Sequence, residues 1–472
     1  MATTNTPRQT NSRNAIFFKQ YHHQFREMGE LMLSLEKREM LAFLIGYRVR
    51  SLRKQKHMAQ SELAKGIIGQ SMMSMIENGY QLPLPDVLEL IAHRLNDPIL
   101  MEYTEIVQQD LNLVNIPVID PETLVHALYS HQGKWNQIHY NTAITLCEHY
   151  YTQAEYALAK DVADTILLNM DKPHDRPGVY STACFYYGSV LLRDTQYEDA
   201  IDWLLNSEEY KTSLSPDIRG RLFYNLAYGY QHLNYLGMTV VYANLAVMEF
   251  ATPETILESA RARILLGTAQ SRIGQTKNAK YSLQTAYNTL IRWATDNTPD
   301  LPLIQINLAD IYESEGDYEK AQDMLQDALS SPATVHPTAV AAALRIQSRL
   351  YMNAGVRLLA VEYAEKSLTY ALESGDGWCI SWSHLNLSAL HTDISQKLTH
   401  AKSALQKAMT TQNYLLSALA CESLSFLHQQ VEEHDKAMQY LRETVLYYRA
   451  FAEQNIMIKA SIQFLPLHRI RF

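Results

Sequence analysis

The sequence predicts an all-α protein in which a small N-terminal helical domain is followed by a long α-solenoid. Residues 58–79 read as two short helices joined by a tight connection. From about residue 122 onward, pairs of amphipathic helices recur with one pattern of small and large apolar residues. The length of 472 residues, with 47% hydrophobic and 19% charged side chains, is globular in composition and exceeds one ordinary core. We therefore expect two domains, one of them a repeat array.

The stretch MAQSELAKGIIGQSMMSMIENG, residues 58–79, predicts two helices around a turn. Leu63 and Ala64 form the inward pair of the first helix, whereas Met73 and Ile76 lie three apart on one face of the second. Gly79 suits a left-handed position just after the second helix. This arrangement is typical of a helix-turn-helix whose second helix has the right size for a DNA major groove.

Four sequence blocks, in order, resemble the Xre/Cro-type DNA-binding domain over roughly residues 40–100. They are GYRVRSLR from Gly46, MAQSELA from Met58, SMIENG from Ser74 and PLPDVL from Pro83. The connection GIIGQS at residues 66–71 resembles most closely the peptide-pheromone receptors of Gram-positive bacteria (PlcR, PrgX, NprR and relatives). The resemblance implies an Xre-type head of five helices.

The region after the head predicts a tetratricopeptide-like, right-handed solenoid. Its clearest unit is residues 303–332, where Ala309 on one helix faces Ala321 on the next, because small residues let two backbones approach. The same skeleton of small and large residues begins at Gly188 and Gly267 and, in the last three repeats, at Tyr351, Ala389 and Leu424.

The domain boundaries follow from these patterns. Residues 1–39 are predicted to be a tail and a helix, 40–100 the head, 101–121 a linker, 122–454 the repeat domain, and 455–472 a C-terminal capping segment. A helix is expected from residue 15 to 40, and Asp86 is expected to cap the helix that follows it.

Charge is distributed unevenly along the chain. Residues 1–100 hold 13 Lys and Arg against 9 Asp and Glu, so the head carries +4 and the remainder −13 of the net charge of −9. A basic head on an acidic body fits a DNA-binding module attached to a domain that does not itself bind phosphate.

Motifs of enzymes, cofactor sites and membrane segments are missing from the sequence. No phosphate-binding loop, dinucleotide fingerprint, HExxH or GxSxG occurs, and the 17 histidines are scattered. We expect no catalysis, no cofactor and no metal. The four cysteines are far apart, which predicts buried free thiols in a reducing cytoplasm, and no apolar run is long enough to cross a membrane.

Candidate DNA-binding residues follow from the resemblance, since the exposed start and middle of the second helix face base edges in Xre-type domains. An amide such as that of Gln70 can bond adenine in two places, and a residue at the amino end of the preceding helix is placed to bond a phosphate. The candidates are Gln70, Ser71, Ser74 and Met75 for bases, and Gln60, Arg50 and Arg53 for phosphates.

Candidate ligand-binding residues lie on the first helices of the repeats, which line the concave groove of a stacked array. Asn225 and Asn307 stand two residues before their small crossing residue, a slot that faces the groove in peptide-binding arrays. Asn386 stands one position earlier. An amide can bond a peptide backbone whatever its side chains, and an arginine can hold a carboxylate. The neighbouring candidates are Arg221, Arg261, Arg263, Arg345, Tyr186, Tyr224 and Tyr228.

We interpret the sequence as a cytoplasmic transcription regulator. The resemblance implies a double-stranded DNA operator, a short linear signalling peptide as ligand, quorum sensing as the process, and a homodimer on a two-fold operator. Two alternatives stay open: a solenoid that inhibits a response regulator in the manner of Rap-like relatives, or one that assists its dephosphorylation.

Overall fold

The structure is a computed structural model. It describes residues 39, 41–108, 125, 128, 135, 137–170, 172–294, 298, 300–331 and 336–464. Side chains are described as far as Gln454, so most of the capping segment, and the predicted helix at 15–40 except Glu39, lie outside the description. The described residues form helices and connecting turns without any strand, which confirms the all-α prediction. The chain divides into two compact units, Met1–Leu214 and Ser215–Phe472.

The first unit contains nine described α-helices. Those of the head are α1 (41–55), α2 (Gln60–Ala64), α3 (Gln70–Glu77), α4 (Pro85–Leu95) and α5 (Pro98–Gln108). They are followed by α6 (Gln137–Thr152), α7 (Tyr156–Leu168), α8 (Pro177–Arg193) and α9 (Tyr197–Glu209).

The second unit contains twelve described α-helices in consecutive antiparallel pairs. They are α10 (Pro216–His232), α11 (Leu236–Glu249), α12 (Ile256–Arg272), α13 (Thr276–Trp293), α14 (Asp300–Ser314), α15 (Tyr318–Ser330), α16 (Pro337–Asn353), α17 (Arg357–Ser374), α18 (Gly377–Leu390), α19 (Ile394–Thr410), α20 (Tyr414–Gln430) and α21 (His434–Phe464). None of the described helices is both long and apolar enough for a membrane crossing.

The head encloses one apolar core to which all five helices contribute. Leu63 of α2 and both Met73 and Ile76 of α3 are fully buried there, as the three-residue spacing predicts. Helix α4 begins at Pro85 with Leu84 as its N-cap, so the prediction that Asp86 is the cap is wrong. Proline suits the first helical position because its missing N–H would have no partner there, and Asp86 lies instead in the first turn.

Helices α1 and α3 of the head approach unusually closely at Gly46. A Cβ atom on Gly46 would lie 2.1 Å from the carbonyl oxygen of Ile76 and 2.9 Å from the backbone nitrogen of Gly79. Gly79 itself has φ of 71°, the left-handed conformation predicted for it. The position of α3 therefore depends on the lack of a side chain at residue 46.

The predicted helix crossings at Gly188, Gly267 and Ala309 are confirmed. A Cβ on Gly188 would lie 2.9 Å from Leu204 Cγ, and one on Gly267 would lie 2.6 Å from Leu283 Cγ. Ala309 and Ala321 are fully buried in one apolar cluster. Small residues at these positions allow each pair of helices to pack backbone against backbone.

In the last three repeats a serine stands at the helix crossing, three residues before Tyr351, one before Ala389 and one after Leu424. Ser348 Oγ donates to the carbonyl of Ala360 at 2.7 Å, and Ser388 and Ser425 donate to the carbonyls of Lys397 and Ala437 at 2.9 and 2.8 Å. Ala389 is exposed. A serine is small enough for a close crossing and satisfies its buried hydroxyl on the neighbouring backbone.

The four cysteines Cys147, Cys184, Cys379 and Cys421 are buried and free, as predicted. Cys147 occupies a crossing position, and its Sγ lies 3.1 Å from the carbonyl oxygen of Ala159. Burial raises the pKa of Cys184 to about 12, which keeps that group a neutral thiol.

Candidate functional site

Helix α3 presents a polar and apolar face away from the core of the head. Gln70, Ser71 and Met75 are exposed and Ser74 is half-buried, whereas Met73 lies inside. The Ser74 carbonyl accepts the Nδ2–H of Asn78 at 2.8 Å, which ties the end of the helix. The four candidate base-reading residues thus share the outer part of α3, and a major groove is wide enough to receive such a helix.

A buried carboxylate joins three parts of the head. Arg53 donates from Nε and Nη2 to the two oxygens of Glu77 at 2.5 and 2.9 Å, and Gln60 Nε2 donates to Glu77 Oε2 at 3.0 Å. Arg53 also donates to the carbonyl of Met58 at 2.8 Å. Glu77 is only 4% exposed, so these donors replace the water that its carboxylate has lost. Two candidate phosphate-binding residues, Gln60 and Arg53, therefore also position α3.

Arg50 is in a different situation from Arg53. Its Nη1 lies 3.5 Å from Asn78 Oδ1, the limit for a hydrogen bond, and no ion pair involves Arg50 among the described residues. Its half-buried side chain thus holds a cation that a DNA phosphate can neutralise.

A second ion pair of the head gives its stability a pH dependence. Arg48 donates from Nε and Nη2 to Asp97 at 2.8 and 2.7 Å, and these bonds hold the pKa of Asp97 below its usual value. A carboxyl with a lowered folded-state pKa stabilises above its unfolded pKa, and that contribution disappears as pH falls through the folded value.

We therefore expect the head to lose stability below about pH 4. Hydrogen exchange of residues 41–108, followed from pH 7 to acid, measures this loss. The Asp97→Asn variant should be less stable at neutral pH and show a flatter profile. Glu89→Gln, which removes an exposed carboxylate from α4, is the control and should retain the wild-type profile. If the Asp97→Asn variant lost stability in acid as the wild type does, the transition would belong to another group.

In the second unit, the first helices of successive repeats contact one another through a continuous polar and aromatic strip, which we call the inner seam. Its members are Tyr224, Arg261, Arg272, Asp300, Asp310, Arg345, Arg349, Trp378 and Trp382. The ion pair between Arg261 Nε and Asp300 Oδ2, at 3.0 Å, joins α12 to α14. Asp310 accepts hydrogen bonds from Arg345 and Arg349, which joins α14 to α16.

The aromatic part of the inner seam lies on α18. The guanidinium carbon of Arg345 lies 5.7 and 5.3 Å from the ring centroids of Trp378 and Trp382, and that of Arg272 lies 4.5 Å from Trp378. Burial lowers the pKa of both arginines, although each remains charged at neutral pH. The indole faces thus partly replace the hydration that these cations lose.

The predicted asparagine slot is more regular than the sequence indicates. With Ser388 as the crossing residue, Asn386 also stands two positions before it, as Asn225 and Asn307 do before theirs. Asn307 Nδ2 donates to the carbonyl of Leu303 in its own helix at 2.9 Å, and Asn386 Nδ2 donates to Ser348 Oγ at 3.1 Å. All three amides are half-buried.

The remaining ligand candidates have specific neighbours. Arg221 pairs with Asp217 at 2.8 Å, Tyr228 packs on the ring of His232 at 4.5 Å, and burial raises the pKa of the Tyr224 phenol. Tyr186 belongs to the first unit, where it is 1% exposed and packs against Tyr151. Arg263 is half-buried on α12.

Comparison with known proteins assigns the head. The helix-turn-helix family model HTH_3 matches residues 49–98. The head is an Xre-type helix-turn-helix domain. No curated protein matches this chain in sequence.

Solved structures show the same helical architecture. The crystal structure of a Rap protein complexed with Competence and Sporulation Factor is 15% identical, with a TM-score of 0.50 over 71% of this chain and 93% of that one. The apo form of the quorum sensor NprR from B. thuringiensis is also 15% identical, with a TM-score of 0.50 over 77% of this chain and 97% of that one. At this identity the likeness establishes the fold alone, a helical solenoid.

Six members of the inner seam were not predicted from the sequence: Arg272, Asp300, Asp310, Arg349, Trp378 and Trp382. Arg261 and Arg272 lie eleven residues apart, close to three helical turns, and so share a face of α12. That spacing is the signal in the sequence that identifies the inward face of α12. Among the described residues, no group of three or more His, Cys, Asp or Glu could hold a metal ion.

Proposed function

We propose that the protein is a sequence-specific DNA-binding transcription regulator whose solenoid binds a short oligopeptide and thereby alters operator binding. One observation carries this proposal: a helix-turn-helix head with an exposed α3 face is joined in one chain to a solenoid with a polar, aromatic inner seam. The NprR structure, described as a quorum sensor, and the Rap structure, described in complex with Competence and Sporulation Factor, share that fold. The active form is a cytoplasmic homodimer on a two-fold operator.

The first test addresses base reading. Gln70→Ala should weaken binding to a site selected from random duplex DNA by about 1–3 kcal/mol, because a bidentate amide contact to adenine is lost. Affinity for random DNA should hardly change, as measured by band-shift titration at fixed salt. Gln81→Ala, which alters an exposed glutamine outside α3, is the matched control. Equal weakening on both DNAs would show that Gln70 does not read bases.

The second test addresses the ligand. A heptapeptide recovered from a random pool by its retention on the protein is titrated into variants by calorimetry. Asn307→Ala should lower the affinity tenfold or more, since the lost amide leaves a peptide group unpaired at about 1–3 kcal/mol.

The melting temperature separates a ligand role of Asn307 from a structural one. It should stay near the wild-type value, because the hydrogen bond of Asn307 returns to its own helix. Asn288→Ala, an exposed asparagine of α13, is the control and should bind normally. Unchanged affinity in Asn225→Ala, Asn307→Ala and Asn386→Ala together would exclude a clamp on the peptide backbone. A different outcome would favour the Rap-like alternative. In that outcome the peptide leaves the affinity of the protein for DNA unaltered but changes its binding to a response regulator.

A further inference from the structure

A small hollow in the second unit is enclosed by segments that lie far apart in the sequence. It is lined by the turn after α10, the end of α12, the starts of α18 and α20, and one face of α21. Its principal lining residues are Asn234, Arg272, Trp378, Asn413, Phe451 and Gln454. The volume is about 10 Å³, enough for one oxygen-sized group. A ligand atom placed there would contact helices from opposite ends of this unit.

Arg272 differs from the other arginines of the inner seam because no acid neutralises it directly. Arg261 bonds Asp300, and Arg345 and Arg349 bond Asp310. Arg272 instead stacks on Trp378, and no hydrogen bond or ion pair of Arg272 is present in the described part of the chain. Stacking occupies the face of the guanidinium and leaves its N–H edge for an acceptor.

The acid whose charge acts on Arg272, Asp376, is already engaged. Asp376 is the N-cap of α18, where its Oδ1 accepts the N–H of Cys379 at 2.8 Å. It opposes, but does not overcome, the effect of burial, which lowers the pKa of Arg272. A half-buried cation without a hydrogen-bond acceptor is costly, and an anion in the hollow would remove that cost.

Two side-chain amides line the hollow together with Arg272 and can donate hydrogen bonds into it. Asn413 Nδ2 lies 3.5 Å from Asn234 Oδ1, and Asn234 Nδ2 lies 3.4 Å from the carbonyl oxygen of Thr411. These long contacts hold the turn after α10 against the turn before α20. Each amide nitrogen carries two hydrogens, so one hydrogen on each is left to donate to a ligand.

We propose that this hollow receives one oxygen of a ligand carboxylate, to which Arg272 and the amides of Asn234 and Asn413 donate. One guanidinium and two neutral amides match a singly charged, planar oxyanion better than a phosphate, which carries nearly two charges. The bound group joins α10, α12 and α20, so its binding tightens the contact between the two turns. The identification of its carrier as a peptide rests on the function proposed above; the carboxylate is either the C-terminus of that peptide or an acidic side chain.

The site itself is tested without a peptide. The indole N–H resonances of the full chain are recorded during titration with sodium acetate, with sodium chloride at equal ionic strength as reference, and Trp378→Phe assigns the Trp378 signal. We expect a saturating shift of that signal with acetate alone. Arg272→Gln should abolish the shift, whereas Arg292→Gln, which removes an exposed charge from α13, a helix that does not line the hollow, should retain it. No acetate-specific shift in the wild type, or an unchanged one in Arg272→Gln, overturns the site.

The source of the carboxylate is tested with three heptapeptide pools. One has free C-termini and lacks Asp and Glu, the second is the same pool amidated, and the third is amidated but contains Asp and Glu. Retention of the first pool identifies a C-terminal carboxylate and retention of the third an acidic side chain, and Arg272→Gln should reduce either at least tenfold. Equal retention of the second pool overturns the proposal. If acetate binds but no pool is retained, the carboxylate site stands and the peptide-receptor function fails.

Discussion

Replacing Gly46 by alanine will detach α3 from α1 and abolish specific DNA binding. The added Cβ would lie 2.1 Å from the carbonyl oxygen of Ile76, well inside van der Waals contact, and the obstacle is backbone rather than a movable side chain. The two helices must separate, which exposes the core around Met73 and breaks the hydrogen bonds between Arg53 and Glu77. We expect a loss of about 3 kcal/mol or more in the free energy of unfolding of the head.

Hydrogen exchange of residues 41–108 in the full chain measures the stability of the head in Gly46→Ala, and a band shift on the selected operator measures its function. Gly69→Ala is the matched control, since a Cβ there meets only Ser71 Oγ at 4.0 Å. Gly69 is the N-cap of α3, and its substitution by alanine should lower the free energy of unfolding of the head by less than about 1 kcal/mol. Wild-type protection in Gly46→Ala would show that α1 and α3 can separate without loss of the fold.

Much of the head could be predicted from the sequence because its determinants are local. The 3.6-residue period places Met73 and Ile76 inside and Gln70 and Met75 outside, and the structure agrees. The role of Arg53 could not be predicted, since its partner Glu77 lies 24 residues away on another helix. From the sequence alone, a basic residue on a helix is predicted to be exposed, because a buried acidic partner on another helix cannot be recognised.

The repeats show a similar division between local and distant determinants. Gly188, Gly267 and Ala309 could be identified because the close approach of two helix backbones requires a small side chain, which is visible in the sequence. The serine crossings were missed because Ser388 and Ser425 depend on a hydrogen bond to another helix, which spacing does not reveal. The stacking of Arg272 on Trp378 joins non-neighbouring repeats, whereas repeat periodicity predicts contacts only between neighbours.

The inner seam should be most sensitive to loss of Asp310. This carboxylate is the only hydrogen-bond acceptor of Arg345 among the described residues, and the Arg345 side chain is 5% exposed. Asp310→Ala would leave the Arg345 guanidinium buried beside the two indoles without an acidic partner. Arg349 would retain its ion pair with Glu313, at 2.8 Å. Breaking a buried pair from one side costs about 3–5 kcal/mol, and we expect the lower end because Asp310 is 34% exposed.

Urea unfolding of Asp310→Ala, followed by tryptophan fluorescence, measures this loss, since Trp378 and Trp382 lie beside Arg345. Asp327→Ala removes an exposed carboxylate from α15 and should change the midpoint little. The double variant Asp310→Ala, Arg345→Met removes the unpaired cation together with its partner and should recover most of the stability, a strongly non-additive result. If Asp310→Ala matches Asp327→Ala, the contact with Asp310 does not stabilise the seam, and the indoles alone suffice to hold the buried arginine.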